Sequence, residues 1–258
     1  TAPVRFFTQS NFGEDLIFGH EGGRLYYWDA TNGVGTRAVE LSSLSGASDV
    51  PVVQNLILVS DISRFVFCFG TNPIGSSTLD PTLLRWSDQE DATNWTPSAT
   101  NQAGSLRLSR GTKIVSAKTA RQEVLVWTDS SLYSLQYVGA PAVWTATLVG
   151  ENISISSQNA VAYANGIAYW MGKDKFYIYD GRTQTLKCDV RKYVFNDLDT
   201  NQFAQVVAGT NEGFHEIWWF YCSSGSTTID RYVIYNYLEK IWYYGTLART
   251  AWLDSGLR

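Results

Sequence analysis

Residues 159–166 read NAVAYANG, 167–172 IAYWMG, 175–181 KFYIYDG and 183–190 TQTLKCDV. Each segment mixes β-branched, aromatic and small residues, and the breaks between them carry Gly, Asn and Asp, so the stretch predicts four short strands. Asn165-Gly166 is the dipeptide a two-residue hairpin loop demands, because both of its central positions need positive φ. Asp180-Gly181 repeats that signal between the third and fourth strands. One four-stranded antiparallel meander is therefore expected within about 30 residues.

The same frame recurs about every 50 residues, a period that points to a stacked array or a propeller. Upstream, 113–120 (KIVSAKTA), 123–129 (EVLVWTD), 131–138 (SLYSLQYV) and 143–149 (VWTATLV) form one unit. Before it come 55–61, 64–70, 82–88 and a short strand at 94–98 (NWTPS), and the chain opens with 4–9, 15–20, 24–30 and 36–41. Downstream lie 205–211, 215–222, 231–238 and 240–247. The third strand of each unit ends on an aromatic: Trp28, Trp86, Tyr137, Tyr179 and Tyr235. In the last three units an apolar residue follows seven positions later (Trp144, Leu186, Trp242), which predicts a pair facing across strands three and four.

A lone meander has two faces to bury and two open edges. Stacking such sheets side by side buries the faces and leaves only short edges. The small residues Ala160, Ala162, Ala164 and Gly209 in first strands suit a crowded centre, and large outer-strand aromatics suit a widening gap. The expectation is an all-β fold, a β-propeller of four-stranded antiparallel blades with about five blades visible, in a single domain over 1–258. The blades span roughly 4–41, 55–98, 113–149, 159–190 and 205–247, and 250–258 begins a further or ring-closing strand. A two-sheet sandwich fits the regular four-strand repeat less well. The chain lacks an initiator Met and stops just after a strand, so it reads as a fragment or a processed product.

Composition narrows the function classes. Charged residues are 17% and aromatics 14%, far from the disordered range. A formal net charge of −4 argues against a surface built to hold nucleic acid by charge. No apolar run is long enough to span a bilayer, and the N-terminus does not read as a signal peptide. Cys68, Cys188 and Cys222 are far apart and odd in number, as expected of reduced core thiols.

At residues 84–97 (LRWSDQEDATNWTP) and 174–181 (DKFYIYDG), the chain resembles the β-propeller virion proteins of the short-tailed bacteriophage tail, called tail nozzle, tail tubular or hub proteins. The block Arg85 to Trp95, the tandem aromatic strands and the run Tyr235-Asn236-Tyr237 through Trp242 carry the likeness, which covers roughly residues 80–258. Its motifs are structural rather than catalytic. The resemblance implies a non-enzymatic structural protein of the virion, assembled in the host bacterial cytoplasm. It implies a homo-oligomeric ring docked to other tail proteins, around a channel through which DNA passes without sequence-specific contacts. An acidic lining offers few cations to phosphates, and rings of this kind close by heterologous contacts. Family members carry a further tube or platform region that this sequence does not show. The alternative is a carbohydrate-binding propeller, a lectin or a weak glycosidase.

No catalytic, cofactor-binding or metal-binding residue is assigned, and no cofactor is expected. Residues 87–95 (SDQEDATNW) also resemble the Asp-box turn of sialidase-like propellers. Ser87, Thr93 and Trp95 match, whereas Gln89 and Asp91 stand in place of its Asp and Gly. Asp29-Ala-Thr-Asn32 and Asp91-Ala-Thr-Asn94 repeat one tetrapeptide, read as turns capped by their own side chains. A glycosidase needs two carboxylates about 5–9 Å apart. Asp88, Glu90, Asp91, Asp129, Asp174 and Asp180 are candidates, and no spacing singles out a pair. His20 and His215 fall in different units. The basic clusters Arg107–Arg110–Lys113 and Arg191-Lys192 read as solvated loops, and Trp218-Trp219-Phe220-Tyr221 as core of a blade buried on both sides. The sequons at Asn94 and Asn152 matter only in a eukaryotic secretory pathway.

Overall fold

A computed structural model describes residues 5–61, 63–249 and 251–253. The chain falls into two compact units, residues 1–128 with 133–147 and residues 129–132 with 148–258. Among the described residues the strands form five four-stranded sheets, each ordered along the sequence. The first comprises Phe7–Phe12 (β1), Asp15–His20 (β2), Tyr26–Trp28 (β3) and Val39–Glu40 (β4). The second comprises Gln54–Val59 (β5), Val66–Thr71 (β6), Asp80–Trp86 (β7) and Gly104–Arg107 (β8). The third comprises Ile114–Ala120 (β9), Glu123–Thr128 (β10), Ser131–Gly139 (β11) and Val143–Glu151 (β12). The fourth comprises Val161–Ala164 (β13), Ile167–Met171 (β14), Phe176–Tyr179 (β15) and Thr183–Leu186 (β16). After the helix Arg191–Asp197 (α1), the fifth comprises Val207–Asn211 (β17), Glu216–Tyr221 (β18), Arg231–Asn236 (β19) and Ile241–Thr246 (β20). The fold is a β-propeller of four-stranded antiparallel blades.

Burial explains the sequence pattern. All six residues of β6 are buried, as a strand covered on both faces requires. Phe67 and Phe69 point one way and join Leu84, Trp86, Val124, Val126, Leu135 and Trp144. Val66 and Cys68, one residue out of phase, join Ile17, Leu25, Val50, Ile57 and Trp95 on the other side. The outer edge of β5 is met at Gln54 by an isolated backbone bridge to Gly23 and farther along by side chains. The amides of Ile57 and Val59 donate to the hydroxyls of Thr8 and Ser10, at 3.0 and 3.1 Å. In the second unit Phe176 packs on Trp219 and Trp242 at ring separations of 4.9 and 4.8 Å. Ala162 and Ala164 of β13 are buried there, as is Ala160 just before the strand, and β13 lies against β17.

The local turn chemistry follows the sequence. Asn165 and Gly166 take φ of 52° and 76°, and Ala164 pairs directly with Ile167. Facing pairs form where the loop allows them. Tyr235 lies opposite Trp242 with rings 4.7 Å apart, and Tyr137 meets Trp144 at 5.5 Å. The expected Tyr179–Leu186 pair does not form, because a three-residue loop puts Tyr179 opposite Thr183 and Leu186 opposite Phe176.

Other boundaries shift. The second blade's fourth strand is β8, not 94–98. Trp95 is drawn into the core, its amide bonds the Ser48 carbonyl at 3.0 Å, and Pro97 has no N–H to give a ladder. β1 runs Phe7–Phe12 rather than 4–9, residue 4 lying outside the described residues. The seven-residue α1, too short for a helical period to register, carries Arg191 and Lys192, which the sequence places in a loop. The further strand expected to begin in 250–258 is not seen at 251–253, where Trp252 instead lies against the rings of Trp218 and Phe220 at 5.3 and 5.2 Å. Residues 250 and 254–258 lie outside the described residues.

Candidate functional site

In the first unit, three loops converge on one side chain. β7 runs Leu83-Leu84-Arg85-Trp86, and Arg85 is only 1% exposed. It stands opposite Cys68 on β6, on the face where Trp95 closes the core. Its guanidinium carbon lies 5.9 Å from the centre of the Trp95 ring. Its Nη1 donates to the Asn72 carbonyl at 3.2 Å and its Nη2 to the Asp49 carbonyl at 2.5 Å. It makes no ion pair among the described residues. Burial lowers the Arg85 pKa from its usual value, and burial raises that of the Cys68 thiol.

The loops that hold Arg85 are themselves fastened. The Asn72 side chain accepts from the amides of Val52 and Val53 and donates to the carbonyls of Pro73 and Ser76. Asp49 takes φ of 50°, and its carboxylate accepts from the Thr96 hydroxyl at 2.6 Å. The Ser48 amide donates to the Thr93 carbonyl, tying this loop to the turn at 87–95. Above Arg85 is an open cleft of about 330 Å³, lined by Asp49, Val50, Val52, Asn72 and Ile74 among others.

The second unit holds a cleft of similar size, about 340 Å³, lined by Glu151, Asn152, Lys175, Tyr177 and Gln184 among others. Tyr177 is buried there, with the Lys175 ammonium over its ring.

No protein-family model matches the chain, and none of the curated proteins matches it. Solved structures do. The chain is similar to the computationally designed Ika8 protein at 11% identity and a TM-score of 0.52, over 91% of this chain and 59% of that one. It is similar to the AfRom2 CNH domain at 10% identity and a TM-score of 0.50, over 94% of this chain and 84% of that one. Kluyvelomyces marxianus Hsv2 aligns at 8% identity and a TM-score of 0.48, over 92% and 59%. The chain thus spans about three fifths of the length of the designed protein and of Hsv2. At these identities the likeness shows the fold alone.

The candidate acids are built into turns. Asp91 accepts from the amide and hydroxyl of Thr93 at 2.8 and 2.7 Å, and Asp29 makes the same bonds to Thr31 at 2.8 and 2.5 Å. The repeated tetrapeptide is thus one turn used twice. Asp88 accepts from the amides of Gln89 and Gln102. Glu90 sits at the tip of that turn with φ of 56°. Asp174 pairs with Arg191 at 3.7 Å, and Asp180 accepts from the Arg182 amide. Asp129 follows β10. Arg107 is not a free loop cation but pairs with Asp80 at 2.6 Å. His20 packs on Phe7 and His215 on Tyr237. Among the described residues no group of acids, histidines and cysteines could hold a metal. Trp219, Phe220 and Tyr221 are core, as expected, whereas Trp218 is only half-buried. Arg85 itself was missed as a site residue, although a single cation inside the apolar run Leu83–Trp86 was the signal available.

Proposed function

We infer that this chain is a non-catalytic assembly protein, a β-propeller protomer of a short-tailed phage tail nozzle or hub that docks to copies of itself and to other tail proteins. The observation that carries the reading is the outer edge of the fifth sheet. β20 is the last strand of its sheet, and Ile241, Tyr243 and Tyr244 stand exposed along it. Tyr193 of α1 joins them, its ring 4.2 Å from that of Tyr244. Exposed aromatics clustered on an open strand edge are interface material.

The resemblance at 84–97 and 174–181 supports the same reading, since those residues build turns and core. A lectin would need exposed aromatics beside polar groups in pockets repeated from blade to blade. Neither cleft described above has an exposed aromatic in its lining, among the described residues.

The test is peptide mass spectrometry with copy-number quantification on gradient-purified virions from the source sample. The reading expects stoichiometric peptides at a ring-like copy number. Their absence from intact particles would overturn it, and glycan-array binding would then decide for the carbohydrate reading.

A further inference from the structure

Arg85 is a cation almost wholly out of water that no carboxylate among the described residues pairs directly, the Asp49 carboxylate acting on it only through space. Burying a charge is costly unless it is paired and hydrogen-bonded. A guanidinium has five N–H donors, and two here reach backbone carbonyls. The other three have no acceptor among the described residues. Trp95 and the β6 strand close the guanidinium off from behind, so the cleft is the side from which an acceptor can come.

We propose that the cleft above Arg85 is a binding site for a small monocarboxylate carrying a short aliphatic group, its carboxylate seated on the Arg85 guanidinium. The planar fork of an arginine matches two carboxylate oxygens. Val50, Val52 and Ile74 supply an apolar patch for a short aliphatic tail in a lining otherwise shared with the polar Ser42, Asn72 and Ser76. The Asp49 carboxylate in the same lining penalises multiply charged anions such as phosphate. The size, about 330 Å³, is at the small end of ligand sites. The site is preformed, because Asn72 and Asp49 are each fixed by side-chain hydrogen bonds. An occupant would complete the coordination of Arg85 and lock the three loops that meet there.

The test is a titration of the whole chain with isobutyrate, followed through the arginine Nε–Hε resonances. The Arg85 signal is assigned by its loss in Arg85→Lys. The proposal expects saturable movement of that one resonance with isobutyrate, and none with inorganic phosphate at matched ionic strength. Val52→Asp, at a position 38% exposed that tolerates a charge, is expected to weaken binding by about an order of magnitude or more. Three results would overturn the proposal. These are no saturable shift up to about 100 mM isobutyrate, phosphate binding as well as isobutyrate, or a folded Val52→Asp protein that titrates like the parent.

Discussion

Phe67→Ala tests the claim that the second blade is covered on both faces. Phe67 is fully buried. Its ring lies 5.0 Å from Trp144 in an edge-to-face arrangement at 79°, 5.6 Å from Phe69 and 6.1 Å from Trp86. Truncating such a side chain removes its transfer free energy and leaves a cavity that rigid rings cannot fill, at about 3–5 kcal/mol. Against a total stability on the order of 5–15 kcal/mol, that is a large share. The edge-to-face contact with Trp144 contributes roughly 0.5–1.5 kcal/mol of it beyond area. The assay is urea unfolding of the parent, Phe67→Ala, Trp144→Ala and the double variant, with Phe67→Leu as a milder companion. The expected result is a lower midpoint at unchanged slope and a coupling of at least about 0.5 kcal/mol between the two sites. A loss below about 1 kcal/mol for Phe67→Ala, or additive effects, would refute the packing argument.

Trp144→Phe is expected to cost little, because the Trp144 Nε1 is buried without a hydrogen-bond partner, and removing it relieves a penalty of about 1–3 kcal/mol that offsets lost ring area; urea unfolding reads this. Gly166→Ala is expected to lower stability by about 1 kcal/mol, since φ of 76° is required in the two-residue loop after Asn165, and thermal unfolding checks it. Alkaline pH should destabilise the fold. Burial pushes the Cys222 thiol up to about 11 and that of Cys188 up to about 12, while an unfolded thiol ionises near about 8.5. The unfolded state therefore loses its protons first. Stability is full below about pH 8.5 and falls as pH rises toward the folded values, so the urea midpoint should drop from pH 8 to about 10 and drop less in Cys222→Ala. The double variant Tyr193→Ser with Tyr244→Ser, at two exposed positions, should keep its unfolding midpoint and lose incorporation into particles.

The parts of the fold legible in the sequence are those set by local chemistry. Asn165-Gly166 fixes a hairpin because few other dipeptides accept two positive φ angles. The aromatics at Trp86, Tyr179 and Tyr235 mark third strands because a buried strand needs large apolar residues, whereas Trp28 marks a third strand that is only half-buried. What was not legible depends on distant partners. The segment 94–98 reads as a strand, yet Trp95 is claimed by the core and its backbone by Ser48. β8, GSLR, has little strand character of its own and exists because β7 offers it a ladder. The spacing of seven between facing residues holds only where the loop length permits, and Tyr179 and Leu186 fail it for that reason. Arg85 reads as one more strand residue until loops from Asp49 and Asn72, far away in sequence, are seen to close over it.

The central claim, that this propeller is an assembled tail component, is tested most directly by cryo-electron microscopy of gradient-purified particles from the source sample. The account predicts symmetry-related copies of the five four-stranded sheets around the tail channel, with β20 and Tyr244 of each copy against protein. Well-resolved tails without that density, or copies whose β20 edge faces solvent, would contradict it.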